Sequence, residues 1–421
     1  MKVLGYILVI LLSFLLLSSG MWYKTLTIIL ILICFRLGLK EKNYFNPYIL
    51  LSIPLISYFF YYSDLAPGFL SELQWSTDLL ILMCFSALIV GFTIVKYSKL
   101  RAVKTKFTYN ENFWVICILG LFPTALSYIL YGSIFDASGA AMLDIKEKQS
   151  LPIIGQLAYF LPASIIVACK NNNSMQIIIA IVLSMLAAIM TLTKTAMLVA
   201  LIFTVIGLYV FEPNILNSKI AKFLKKYAFI LLPVLILYMF MANNSVRHEA
   251  STSSSMEYIE QGGGKMIHNR SDFAQGMFLN YLYFCSPWSN LDYNVQRIHE
   301  PSYGTNTFAQ FAKKVGIEIQ TVEKLEPTFL NTHSFITDFY IDFGYLGAIV
   351  ASFLLGCIIY FFYSKFYFSN DALLLAYYCL ISYATIMLFF SNHFINGYLL
   401  NYLITFGGYY LIMHTINVKL S

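Results

Sequence analysis

The chain has 421 residues, of which 59% are hydrophobic and only 11% charged, and its mean hydropathy is +0.70. No water-soluble domain hides that much apolar surface, so the composition excludes an ordinary soluble enzyme and places most of the chain in lipid. The net charge of +6 is a topology signal, distributed over short loops, and not a nucleic-acid footprint.

Residues 1–20 open like a signal peptide, with Lys2, an apolar run and then LSSG. The run is longer than a usual signal core and a second span follows at once, so it reads as an uncleaved first span. Apolar stretches long enough to cross a bilayer then recur near 22–39, 47–62, 77–95, 112–131, 151–169, 175–192, 195–211, 227–242, 333–363, 371–390 and 397–414. With the N-terminus in the cytoplasm, the inner segments hold Arg36, Lys40 and Lys42, then Lys96, Lys99, Arg101, Lys104 and Lys106, then Lys219, Lys222, Lys225 and Lys226. The short outer turns hold only Lys24, Lys146, Lys148 and Lys194. Because Lys and Arg in short loops stay inside, this asymmetry sets the orientation. The expected fold is all-α: a polytopic integral membrane protein of about twelve transmembrane helices, both termini cytoplasmic, with one large outer loop. The chain divides into 1–242 with the first nine spans, the loop 243–332, and 333–421 with the last three. Six of the seven cysteines lie in apolar runs and only Cys285 in a polar region, with no CxxC and no metal-ligand spacing.

The candidate chemistry gathers on the outer side. Lys194 sits in TLTKTA, where two spans join with almost no loop, so its ammonium is expected to meet an anion. The loop opens with a flexible stretch, HEASTSSSMEYIEQGGGK, and continues into an aromatic segment suited to the lipid interface or to sugar stacking. It carries Arg247, Arg270 and Arg297, whose guanidinium groups suit phosphate oxygens. Near its end TNTFAQFAKKVG places Phe308, Phe311, Ala312 and Val315 on one face, an amphipathic helix for the membrane surface with Thr305 or Asn306 as its cap.

The stretch NTHSFITDFYIDFGYLG, residues 331–347, opens a strongly apolar helix yet brings His333, Asp338 and Asp342 with it. A helix N-terminus that faces outward offers free N–H groups and a positive dipole end, and a histidine there can bind an anion or move a proton. Asp338 and Asp342 share a helix face; Asp338 suits the first turn, and Asp342, deeper, needs a protein partner or a cavity. Gly344, Gly347, Ala348, Ala351, Ser352 and Gly356 form a small-residue stripe for close helix packing. The last outer turn, SNHFING, adds His393 and Asn396. No nucleotide-binding glycine pattern, nucleophile elbow or zinc-binding HExxH is present, so any reaction uses an already activated substrate on the outer side.

The chain resembles O-antigen polymerases, the oligosaccharide repeat-unit polymerases, and more distantly O-antigen ligases. The resemblance covers the architecture of about twelve spans with one large outer loop before the tenth. Its best local match is THSFITDFYIDFGYLG, similar to a pattern of histidine, an acidic residue about eight positions on, then two glycines. On that pattern His333, Asp342, Gly344 and Gly347 take the family positions. TLTKTA looks like a family turn in which Lys194 stands where an arginine is usual. Arg247 and Arg270 resemble the basic residues these enzymes carry in the large loop.

The resemblance implies polymerisation of undecaprenyl-pyrophosphate-linked oligosaccharide on the periplasmic face of a bacterial inner membrane. It implies no cofactor and no metal, a lipid bilayer around the body, no nucleic-acid partner, and a chain-length regulator and a flippase from the same pathway. His333, Asp338 and Asp342 are then the expected catalytic residues, and Arg247, Arg270 and Lys194 the pyrophosphate-binding ones. An O-antigen ligase that transfers glycan to lipid A–core, and a flippase or transporter for the lipid-linked oligosaccharide, remain as alternatives.

Overall fold

The computed structural model describes residues 21–98, 111–132, 154–190, 194–214, 272–325, 332–395 and 398–420. Among these residues the regular secondary structure is all helical, with no strand. In order the helices are α1 (Trp22–Lys40), α2 (Pro47–Phe59), α3 (Trp75–Tyr97), α4 (Phe113–Tyr131), α5 (Phe160–Lys170) and α6 (Ser174–Met190). They continue as α7 (Lys194–Phe211), α8 (Asp272–Arg297), α9 (Thr305–Lys314), α10 (Phe335–Phe362), α11 (Ala372–Ile386) and α12 (Tyr398–Leu420). Five of the described helical segments are long and apolar enough to cross a membrane: α1, α3, α4, Phe335–Tyr367 and Ala372–Phe389. Four shorter apolar helices accompany them. The expected spans at 3–19 and 227–242 fall outside the described residues.

Local chemistry sets the helix starts. Asn46 caps α2, its side-chain oxygen accepting from Ile49 N at 3.2 Å, with Pro47 following at the first helical position. Asn112 does the same for α4, at 3.0 Å from Trp114 N, and Asp371 for α11, at 2.8 Å from Leu373 N. Lys24, expected in an outer turn, is buried within α1, where its ammonium donates to the carbonyls of Phe59 and Tyr61 at 2.8 and 2.7 Å. It thereby satisfies carbonyls at the end of α2 that the helix leaves without partners.

The chain forms two compact units that cut across its sequential order. One combines residues 1–100, 259–364 and 384–397, and so contains α1–α3 and α8–α10. The other combines 101–258, 365–383 and 398–421, with α4–α7, most of α11, and α12. Inside the second unit Phe160 stacks on Phe406 and Phe406 on Tyr402, with ring centroids 4.4 and 3.7 Å apart. On the same unit's rim Glu111 joins Lys170 at 2.7 Å and accepts from the first N–H of α11 at 3.0 Å.

The first unit is built on the pair α3 and α10. A Cβ at Gly91 would lie 2.4 Å from the Phe353 carbonyl oxygen, and one at Gly356 would lie 2.5 Å from that of Leu88. Backbones this close need glycine on both sides. The lower part of the expected small-residue stripe therefore packs as anticipated, with Ala348 and Ser352 fully buried. The upper part differs. Gly344 has φ +67°, and its nearest neighbour beyond the adjacent chain is Pro301 at 3.7 Å. It breaks α10 into two helical pieces and is there for its backbone conformation, not for close packing. Below the break, Leu346, Val350, Leu354 and Ile358 are 77, 57, 53 and 48% exposed and recur every fourth residue. A row of open aliphatic side chains along one helix face is ordinary against lipid and costly in water.

Replacing Gly356 by leucine is expected to cost about 1–3 kcal/mol or more through overpacking against Leu88. Gly407 has nothing within 4 Å of an added Cβ, so Gly407→Leu serves as the neutral comparison. Thermal unfolding of the two purified variants in detergent checks this difference.

Candidate functional site

The candidate site lies in the first unit and starts from α8. This segment, expected as an aromatic stretch of an outer loop, is a 26-residue helix packed into the body. Trp288 is fully buried, edge-on to Tyr58, and its ring N–H donates to Ser57 at 2.9 Å. The same helix buries Ser286, Ser289, Asn290, Asp292 and Asn294, each at most 1% exposed. A buried polar group left without a partner costs about 1–3 kcal/mol, and these side chains are answered on two flanks.

On one flank Asp292 accepts from Gln74 N at 3.0 Å and from the Thr77 hydroxyl at 2.6 Å, capping the start of α3. Ser289 bonds the Ser71 hydroxyl at 2.9 Å. On the other flank Asn294 donates to Leu325 O at 2.8 Å and accepts from Leu325 N at 2.9 Å. Asn290 donates to Thr332 O at 2.6 Å, and Ser286 pairs with the Thr332 hydroxyl at 3.0 Å. The two ends of the arm that leads into α10 are thus fixed by one face of α8.

That arm carries the reactive groups. Lys324 meets Asp338, in the first turn of α10, at 2.5 Å. The two side chains differ in access: Lys324 is 33% exposed and Asp338 only 3%. His333 is buried just before α10. Burial, and then the neighbouring Lys324 ammonium, push its pKa down to about 4, against a hydrogen bond with the Leu325 backbone that acts the other way. At neutral pH the imidazole is therefore uncharged. It can accept or donate a hydrogen bond, but it adds no positive charge for an anion.

Asp342 has a different position from the one expected of a catalytic carboxylate. One oxygen accepts from Ser302 Oγ at 2.5 Å and Asn306 N at 3.0 Å, and the other from Thr307 N at 2.6 Å. It caps α9 from another helix. This corrects the expected cap as well, because the residue before α9 is Gly304 in the left-handed region, with no side-chain cap of its own. The α9 helix itself forms where the periodicity placed it, with Phe308 and Phe311 exposed and Ala312 buried. Ser302 N also donates to Ile341 O at 2.8 Å, satisfying a carbonyl near the Gly344 break.

Of the expected site residues, the structure therefore places His333 and Asp338 each beside Lys324, and has Asp342 capping α9. Lys194 begins α7 in the other compact unit, and its side chain lies outside the described residues. Arg247 and Arg270 also lie outside the described residues. Arg297 is exposed and stacks over the Tyr293 ring at 3.5 Å, in the last turn of α8. His393 is buried, which takes its pKa down to about 4.

Sequence reasoning missed Lys324 and the polar face of α8. The second was readable: Ser286, Ser289, Asn290 and Asn294 follow a helical spacing. The first had no local signal, since Lys324 lies in an irregular segment 14 positions before its partner. Comparison with family models, with characterised proteins and with solved structures finds no match.

Two outcomes are expected. His333 and His393 have folded pKa values near 4, below the unfolded value near 6.5. Their contribution is complete above pH 6.5 and is lost as the pH falls towards 4, by about 3 kcal/mol each at pH 4. Melting of the detergent-solubilised protein between pH 7.5 and 4.5 checks this, and the fall should be shallower in His333→Gln. Separately, Asp342→Ala should loosen α9 by about 0.5–2 kcal/mol. Hydrogen exchange at residues 305–314 should then rise, with little change in α8.

Proposed function

We propose that the chain is an O-antigen polymerase, a membrane glycosyltransferase that joins undecaprenyl-pyrophosphate-linked repeat units on the periplasmic face of a bacterial inner membrane. The observation that carries this reading is the grouping of Lys324, His333 and Asp338 at the head of a membrane-length helix, on an arm anchored by α8. A lipid-linked donor brings its pyrophosphate to the membrane surface, and the reaction needs a cation for the leaving group and an acceptor for one proton there.

An acceptor-sugar hydroxyl attacks the anomeric carbon of the donor glycan. The bond from that carbon to the pyrophosphate oxygen breaks, and undecaprenyl pyrophosphate leaves with the electron pair. Charge grows on the leaving group, so a fixed cation lowers the barrier. Lys324 supplies that charge in this reading, with Arg270 as a further pyrophosphate ligand. His333, uncharged, orients the acceptor hydroxyl by accepting its hydrogen bond, and Asp338 takes the proton. Asp342 has no part in the chemistry and keeps α9 in place. The twelve-span topology belongs to this same proposal, with both termini in the cytoplasm.

His333→Ala is expected to leave cells with surface lipopolysaccharide bearing a single repeat unit. Persistence of normal long chains, seen on gels of the extracted lipopolysaccharide, would sink the assignment. Bare core with no repeat unit would point to a ligase instead. Asp342→Asn, which keeps an acceptor for α9, should retain most of the chain growth that Asp338→Asn abolishes.

A further inference from the structure

We infer that the Lys324–Asp338 ion pair is exchangeable: Asp338 parks the lysine in the resting protein, and an incoming diphosphate takes the ammonium from it. The ligand class rests on the proposed glycosyl transfer, whereas the exchange rests on geometry alone. The pair is asymmetric. Asp338 is nearly inaccessible, but a third of the Lys324 side chain is open. An anion arriving from outside can therefore reach the ammonium without first reaching the carboxylate. Lys324 stands on an irregular segment at the end of a run from 317 to 325 with no regular secondary structure, whereas Asp338 is fixed in a helix. The backbone of the next residue, Leu325, is clamped in both directions by Asn294. The stem of Lys324 is thus held at its root, while a third of its side chain is open.

The surroundings decide which anion succeeds. His333 is uncharged at neutral pH and offers no competing positive charge. Asp342 is the other carboxylate whose charge acts on Asp338, and its oxygens are already occupied by Ser302, Asn306 and Thr307. Withdrawing the ammonium leaves Asp338 buried without its counter-charge, which opposes the exchange. Only an anion with several charges close together offsets that cost. A diphosphate with a free terminal phosphate, such as inorganic pyrophosphate or a polyprenyl diphosphate, fits this requirement, because it carries more charge on adjacent groups than a phosphate monoester or sulfate.

The exchange makes the two halves of the pair act with opposite sign. Lys324→Met removes the ligand-binding charge and is expected to weaken diphosphate binding at least about tenfold. Asp338→Asn removes the competitor and is expected to tighten it by a similar factor. A purely structural ion pair predicts the same direction for both, because either change breaks the same contact. Lys324→Arg keeps the charge and should keep binding, which guards against a Lys324→Met variant that merely folds poorly.

The test is calorimetric binding to the full-length protein in lipid nanodiscs. One arm titrates inorganic pyrophosphate, and the other uses nanodiscs doped with a polyprenyl diphosphate. Opposite shifts in both arms support the exchange with a lipid-linked ligand. Opposite shifts with inorganic pyrophosphate alone support a site for the free anion. Loss of affinity in both variants, equal affinity in all variants, or no binding to the unaltered protein overturns it. Opposite shifts in a protein whose His333→Ala variant still makes long chains would leave the exchange standing and remove the proposed reaction. Equal affinities in a protein whose His333→Ala variant stops at one unit would do the reverse.

Discussion

The rest of the site depends on one buried helix face. Five polar side chains of α8 sit out of solvent, and each must find a partner or destabilise the fold. Their partners are not on one neighbour. Asp292 and Ser289 hold the entrance to α3, while Asn290, Asn294 and Ser286 hold the arm before α10. The same helix therefore fixes the relative placement of two elements that are far apart in sequence. In an apolar body, where dispersion packing alone specifies register weakly, such a satisfied polar network is what makes one arrangement unique.

The α10 helix uses this frame and divides into two parts. Its head carries Asp338 and lies in the polar network; its body carries Gly356 and lies in backbone contact with α3. Gly344 separates them with a conformation that L side chains rarely adopt. The break would leave carbonyls and N–H groups unanswered in a poor environment for them. Ser302 N takes the Ile341 carbonyl, and Asp342 takes two N–H groups of α9. The segment 302–307 is thus the complement of the break, and α9 is fastened to α10 by that exchange.

How much of this was legible follows from the range of each interaction. Helix positions follow from apolar periodicity within a few neighbouring residues, and the helices of the described residues lie where that periodicity puts them, except α8, which forms in the expected loop. Asn46 and Asn112 are local caps, each accepting from an N–H two or three residues on. Asp342 is a cap for a helix 36 positions away in the chain, so its carboxylate, seen only on its own helix, looks like unexplained charge. Gly344 fell into a stripe with Gly356 because spacing does not distinguish a glycine needed for its φ from one needed for its size. Lys324 had no signal at all, since nothing local ties it to Asp338.

Several charged residues of the described segments lie where a helix end needs a partner. Lys24 caps α2, Asp292 caps α3, Asp342 caps α9, and Glu111 anchors α11 through its first N–H. Each of these answers backbone groups at a helix end, which have no other source of hydrogen bonds within an apolar body. Asp338 departs from that pattern. It already lies in the first turn of its own helix, where the dipole favours a negative charge, and yet it also draws a lysine from an irregular arm. The helix end alone does not require that lysine. The Glu111–Lys170 pair has a similar difference in exposure, but its lysine ends a helix and its carboxylate is used by the first N–H of α11; a contact beyond what the backbone needs, made by a lysine on an irregular segment, is the feature that separates the Lys324–Asp338 pair from it.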